Sequence, residues 1–242
     1  MYFQLEGARV NYDTQGYCSI DLPEGADITD TKEYPLVVAV HGSNRGAVDY
    51  DECPFYAEQK KIALKKGCVF GVISNKLDTW GRDDGLFNLV LFIRHIIANY
   101  PVRKKAILWA TSAGGTLACR AVSEYPELVE LVIGTFPVYD LESTYGLKTC
   151  RVAWRAKDEN MFRTAIEGKN PCRFYENLKG CNFFVTHGTA DTAVPYTQNA
   201  LRMKNDLGDK MYLETIEGGV HSTQNFDFYG KAVDLAFASV GL

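Results

Sequence analysis

At 242 residues, with 46% hydrophobic and 23% charged side chains, the chain is long enough for one α/β domain with a sizeable core. A net charge of −4 removes the electrostatic reason to expect nucleic acid or an anionic membrane as partner. No apolar run approaches the roughly 20 residues that span a bilayer.

The first stretch, "MYFQLEGARVNYD", carries Glu6 and Arg9 where a secretory leader needs an apolar core. A cytoplasmic protein is therefore expected, and an exported one only if a leader preceded this sequence. The elements then alternate. Short β-rich apolar runs fall at Pro35 to Gly42, Cys68 to Ser74, Lys105 to Ala110, Glu130 to Phe136, Asn182 to Gly188 and Lys210 to Glu217. Runs of this kind suit central strands of a parallel sheet covered on both faces. Helical patterns lie between them: Pro54 to Lys66, Gly85 to Asn99, Ala113 to Glu124, Tyr196 to Leu207 and Asn225 to Ser239. In the second of these, Leu86, Leu89, Val90, Ile93, Ile96 and Ile97 mark one apolar face at helical spacing. The order predicts a doubly wound, mostly parallel α/β sheet, with "GYCSIDLP" and the N-terminus adding antiparallel edge strands. The polar stretch from Asp140 to Gly180 interrupts the alternation and holds one short helical pattern, Asp158 to Gly168. It is read as a small cap above the carboxyl ends of the strands, within a single domain over 1–242.

The seven cysteines (18, 53, 68, 119, 150, 172 and 181) are scattered, odd in number and without a C-x-x-C pair. That argues against a metal site and for reduced thiols. Cys150, Cys172 and Cys181 share one loop-rich region, where export would favour a disulfide.

The stretch "WATSAGG" places Ser112 directly after a β-run and before a helix, the context of a nucleophile elbow. Such a turn strains the serine and needs small neighbours two residues away; Gly114 supplies one and Ala110 stands where the other glycine usually does. Ser112 as a helix N-cap would explain the helix start equally well. A nucleophilic serine needs a base, an acid that orients the base, and donors for an oxyanion. Among the four histidines, His41 and His187 precede glycines and read as turn-shaping residues, and His95 sits in a helix. His221, in "EGGVHST", stands on a glycine-flanked loop after the last strand and is the candidate base. The candidate acid is Asp191 in "HGTADTAVP", one strand earlier, with Asp140 as its rival.

The segments "HGSNRG", "TSAGG", "HGTADTAVP" and "GGVHS" resemble, in order, the oxyanion turn, elbow, acid loop and histidine loop of α/β-hydrolases. The likeness is greatest to the dienelactone-hydrolase and prolyl-oligopeptidase-like esterase branch. It implies the triad Ser112, Asp191 and His221, and an oxyanion hole from the backbone N–H groups of Ala113 and Ser43. It also implies hydrolysis of a small-molecule carboxylic ester through an acyl-enzyme, with neither metal nor cofactor. A serine peptidase or acyltransferase, and a ligand-binding protein with little turnover, stay open on the same scaffold. The charged insertion and the polar loop from Leu77 to Gly85 point to short-acyl or carbohydrate-linked esters. Trp80 and Trp154 are the candidate substrate-stacking residues, and Trp80 as a loop-packing anchor is the alternative. The expected assembly is a monomer or small homo-oligomer.

Overall fold

Eight strands form one twisted sheet in the computed structural model, which describes residues 2–10 and 16–242. Met1 and residues 11–15, part of the stretch read above for a leader, lie outside that description. In chain order the elements are β1 (Tyr2–Gln4), β2 (Tyr17–Asp21), β3 (Tyr34–Val40), α1 (Asp49–Glu52), α2 (Pro54–Lys65), β4 (Val69–Ile73), α3 (Asp83–Asn99) and β5 (Val102–Thr111). There follow α4 (Gly114–Glu124), β6 (Val129–Thr135), α5 (Lys148–Ala153), α6 (Glu159–Ala165), β7 (Asn182–Gly188), α7 (Ala200–Leu207), β8 (Met211–Ile216) and α8 (Lys231–Ser239).

The strand order is β1-β2-β4-β3-β5-β6-β7-β8. Strands β3 to β8 pair in parallel, while β1 and β2 are antiparallel additions at one edge. Alternation along each central strand sorts the side chains onto two faces. Leu36, Val38 and Val40 of β3 join Leu108 and Ala110 of β5 under α3, α4 and α7. Val37, Ala39, Ile107 and Trp109 point the other way, against Phe55 of α2 and Phe237 of α8. Both faces are therefore covered, which is why the strands read as nearly unbroken apolar runs.

Strand β3 has β4 on one side and β5 on the other, so successive crossovers diverge there. The crevice outside the carboxyl ends of β3 and β5 is the usual place for a ligand in such a sheet. The 140–180 insertion stands at that end. It carries two short helices, α5 and α6, where one was expected, and a core of its own. Leu141, Cys150, Ala153, Trp154, Phe162 and Ile166 pack with Trp80, Ala113 and Val138. Most of its charges face outward while Cys150, Trp154, Phe162 and Ile166 turn inward, so a sequence that reads as polar is nevertheless anchored by burial.

Candidate active site

Ser112 sits in the turn between β5 and α4 with φ of 53°, a left-handed conformation that a non-glycine residue adopts only under constraint. The constraint is visible in its bonds. Its N–H donates to the Thr135 carbonyl at 3.0 Å, and its own carbonyl accepts from Gly115 and Val138 at 2.9 and 2.8 Å. A β-carbon at Gly114 would lie 2.1 Å from the Val40 carbonyl oxygen, so only glycine lets α4 start this close to the end of β3. Ala110, fully buried, pairs in register with Val40 and Gly134. Its methyl group takes the position of the usual elbow glycine. The N-cap alternative does not hold: the cap position is Ala113, without a side-chain capping bond, and Ser112 Oγ turns elsewhere.

It turns to His221, whose Nε2 lies 3.0 Å away. The imidazole Nδ1 lies 2.7 Å from Asp191 Oδ2. The two loops that carry these residues are stitched together by backbone bonds, Thr189 N–H to the Ile216 carbonyl at 3.0 Å and Ala190 N–H to the Gly219 carbonyl at 2.9 Å. A β-carbon at Gly188 would sit 2.2 Å from that Gly219 oxygen. The glycine after His187 is thus what allows the approach. The Phe136 ring, on a residue with φ of 38°, packs at 4.4 Å between centroids against His221 and limits where the imidazole can go.

Asp191 is buried and richly donated to. Oδ1 accepts the Ala193 and Val194 N–H groups at 2.9 and 2.8 Å, and Oδ2 faces His221 and, at 3.3 Å, His187 Nε2. Burial alone would push the carboxyl's pKa up. The bonds from His187, His221 and Val194 outweigh it and hold the group well below the usual carboxylate range. The rival, Asp140, is engaged elsewhere: Oδ1 accepts from the Glu142 N–H and Asn170 Nδ2, and Oδ2 from Arg202 Nη1 at 2.6 Å. It anchors the insertion to α7.

The turn after β3 is set by His41. Its Nε2 accepts the Asn75 N–H at 2.8 Å, so Nδ1 must carry the proton and donate to the Gly42 carbonyl at 2.7 Å. Complete burial holds this imidazole's pKa down at about 4, against the weaker opposing pull of the Gly42 carbonyl. Ser43 and Ser112 line one cleft of about 310 Å³. Among the described residues, neither the Ser43 nor the Ala113 N–H donates to a backbone carbonyl. Arg45, Tyr56 and Phe136 also line this cleft, and sequence reasoning passed over all three. Among the described residues Arg45 is its one permanently charged lining side chain, and it is paired with Asp49 at 2.9 Å.

The two tryptophans behave differently from the stacking expectation. Trp80 is 1% exposed, and its Nε1 donates to Ser43 Oγ at 2.9 Å, so it is the packing anchor of its loop as well as a wall of the cleft. Trp154 does not reach the cleft. It is buried in the insertion's core and borders a separate, charged depression with Lys169 and Arg82. His95 is a half-buried helix residue beside Phe3, as expected. All seven cysteines are free, so the disulfide considered for the Cys150, Cys172 and Cys181 region is not formed. Among the described residues no group of histidine, cysteine and carboxylate side chains could hold a metal ion, and no helix is long and apolar enough to cross a membrane.

The prolyl oligopeptidase family model matches residues 81–234, more than half of the chain and the part that holds Ser112, Asp191 and His221. No curated protein matches the sequence. Among solved structures, a bifunctional GH43-CE protein of Bacteroides eggerthii superposes with a TM-score of 0.65 at 23% identity, over 94% of this chain and 36% of that one. A puromycin-hydrolysing peptidase of Mycobacterium tuberculosis gives 0.70 at 17% identity, over 93% and 37%. Est1E from Butyrivibrio proteoclasticus gives 0.68 at 18% identity, over 99% and 95%. The chain spans little more than a third of the length of the first two. These likenesses show that the sheet is that of the α/β-hydrolase fold.

Proposed function

The chain belongs to the prolyl oligopeptidase family of α/β-hydrolase serine hydrolases, and from that membership we propose that it is a carboxylic ester hydrolase acting through Ser112, His221 and Asp191. The observation that carries the reading is the unbroken relay of 3.0 Å from Ser112 Oγ to His221 Nε2 and 2.7 Å from His221 Nδ1 to Asp191 Oδ2. Asp191 accepts a hydrogen bond from the Nδ1–H, which keeps that proton on Nδ1 and leaves Nε2 unprotonated and able to take the hydroxyl proton as Ser112 attacks. The tetrahedral oxyanion then meets the N–H groups of Ala113 and Ser43, donors whose removal typically costs about 3 kcal/mol of transition-state stabilisation. The imidazolium returns its proton to the leaving alcohol. Water, activated by the same base, releases the acid from Ser112.

Two features favour an ester of small acyl size. The cleft is about 310 Å³, room for a short acyl group and part of an alcohol. Most of the insertion's large apolar residues are packed inward, with Val152 and Met161 exposed, so it offers no broad greasy face to a lipid aggregate. With Trp80 and Trp154 buried, stacking on a sugar finds no support in them, and the alcohol portion is left open. Peptide hydrolysis is the second reading, favoured by the family itself. Against it, no acidic side chain among the described residues lines the cleft to receive a peptide's free amino end. Turnover of p-nitrophenyl acetate beside a panel of peptide amides decides between them: preferred amide cleavage would overturn the esterase reading.

A further inference from the structure

The Asp191 carboxylate has more donors than the relay requires. Besides the two backbone N–H groups on Oδ1 and His221 on Oδ2, it has His187 Nε2 at 3.3 Å from Oδ2. His187 is the penultimate residue of β7 and its ring is wholly buried. Nε2 also lies 2.9 Å from the Val194 carbonyl oxygen. A carbonyl only accepts, so Nε2 carries the hydrogen, and in the neutral ring Nδ1 is then a bare acceptor. That Nδ1 has no partner among the described residues. A buried polar atom left unpaired costs stability, and an apolar side chain of similar size would fill the space without that cost. The imidazole therefore needs a further reason to be there, and its other nitrogen gives one.

We propose that His187 is a positioning residue for the triad: its Nε2–H, shared between the Val194 carbonyl and Asp191 Oδ2, locks the acid loop so that Oδ2 meets His221. The inference rests on the triad reading above. Both backbone donors to the carboxylate act on Oδ1, which fixes that oxygen but leaves the other free to swing about it. His187 restrains Oδ2 from the strand side while His221 approaches from the loop side. By holding Val194 as well, it fixes the residue whose own N–H binds Oδ1. Strand, loop and carboxylate thus close into one ring of bonds. Burial works against the carboxylate's charge, and the donation from His187 together with that from His221 counters it.

The test compares Ser112→Ala, His187→Leu, His187→Asn and His187→Gln with the wild-type protein. It measures kcat and KM for p-nitrophenyl acetate, melting temperature, and the downfield proton resonance of the His221 Nδ1–H. The leucine variant fills the space without a donor. The asparagine variant is too short to serve both acceptors, and stands in should the leucine variant fail to fold. Glutamine places an amide N–H near the position of Nε2. Leucine and asparagine should lower kcat about 10- to 100-fold, as loss of an outer orienting partner typically does, with KM changed no more than about threefold and the downfield resonance lost. Glutamine should restore kcat to within about threefold and keep the resonance. Equal kcat for the glutamine and asparagine variants, or wild-type kcat with the resonance intact in the leucine variant, would overturn the proposal. Undiminished turnover by Ser112→Ala would instead sink the triad reading itself, whatever the His187 variants do.

Discussion

His221 Nδ1 lies 2.7 Å from Asp191 Oδ2, although 30 residues of chain separate them. The span is closed by sheet pairing. Strands β7 and β8 are parallel neighbours in register from Phe183 opposite Met211 to Gly188 opposite Ile216, so the loops leaving them emerge side by side. The near contact of Gly188 with Gly219 then brings the loops closer than strand spacing alone would. A similar logic sets Ser112 above β5, with β6 between it and the acid.

The triad prediction follows from that geometry. Ser112→Ala and His221→Ala should each lower kcat for an ester by about 10⁴-fold or more, and the double variant should be little worse, because the residues act as a unit. Asp191→Asn should cost a comparable order through the wrong imidazole tautomer. Asp140→Asn should instead lower stability through its lost pairing with Arg202, with kcat nearly unchanged. Steady-state kinetics on the five variants checks this, and a larger kcat loss at Asp140 than at Asp191 would reverse the acid assignment.

Gly188→Ala is the steric counterpart. Its new methyl group would meet the Gly219 carbonyl at 2.2 Å, and two backbones cannot both yield without separating the acid and histidine loops. The variant should lose at least about 2 kcal/mol of stability, as small-to-large changes in packed sites do, and most of its kcat. Wild-type kinetics in a folded Gly188→Ala protein would show that the loop approach is not needed.

His41 makes stability depend on pH. Its folded pKa is held down at about 4, while the unfolded imidazole titrates near 6.5. Between those values the unfolded chain binds a proton that the native chain does not, so stability falls as pH falls. The contribution is fully present above about 6.5, declines by up to about 1.4 kcal/mol per pH unit, and levels off below about 4. Urea unfolding of wild type and His41→Gln at several pH values isolates it: the wild-type advantage should shrink from pH 7.5 to 4.5. A constant difference would mean that the ring is not buried unprotonated.

Trp154→Ala should lower the melting temperature by removing a core side chain of the insertion, while leaving KM for p-nitrophenyl acetate unchanged. Trp80→Ala should affect both, because Trp80 supports Ser43 and walls the cleft. A raised KM in Trp154→Ala without loss of stability would return that residue to the substrate site.

The fold was legible wherever apolar runs and their punctuation agreed. Asn182–Gly188 forms the strand read from its sequence because a seven-residue run ends at a glycine. Other boundaries moved for local reasons. Helix α7 starts at Ala200 and not at Tyr196, since the Asn199 side chain is bound to the Tyr139 and Asp140 N–H groups and to Ser143. Helix α8 starts at Lys231 and not at Asn225, because Phe226–Tyr229 forms a 3₁₀ turn stopped by Gly230. Strand β5 runs on to Val102, through exposed Arg103 to Lys105, because Val102 pairs with Tyr34. In the candidate site, residues carried by short motifs were visible and those delivered by packing were not. Phe136 reaches His221 through a positive φ that no local pattern announces. Trp80 and Trp154 stand among charges in sequence, and long-range burial under the insertion reverses what that neighbourhood suggests.

The central claim is that an ester's acyl group passes through Ser112. Rapid acid quench of p-nitrophenyl acetate turnover, followed by peptide mass spectrometry, reads it directly. The account predicts a burst of nitrophenol matched by one acetyl group on the peptide that contains Ser112, absent in Ser112→Ala. Steady acetate turnover with no acetyl group on Ser112, or with the group on another residue, would contradict it.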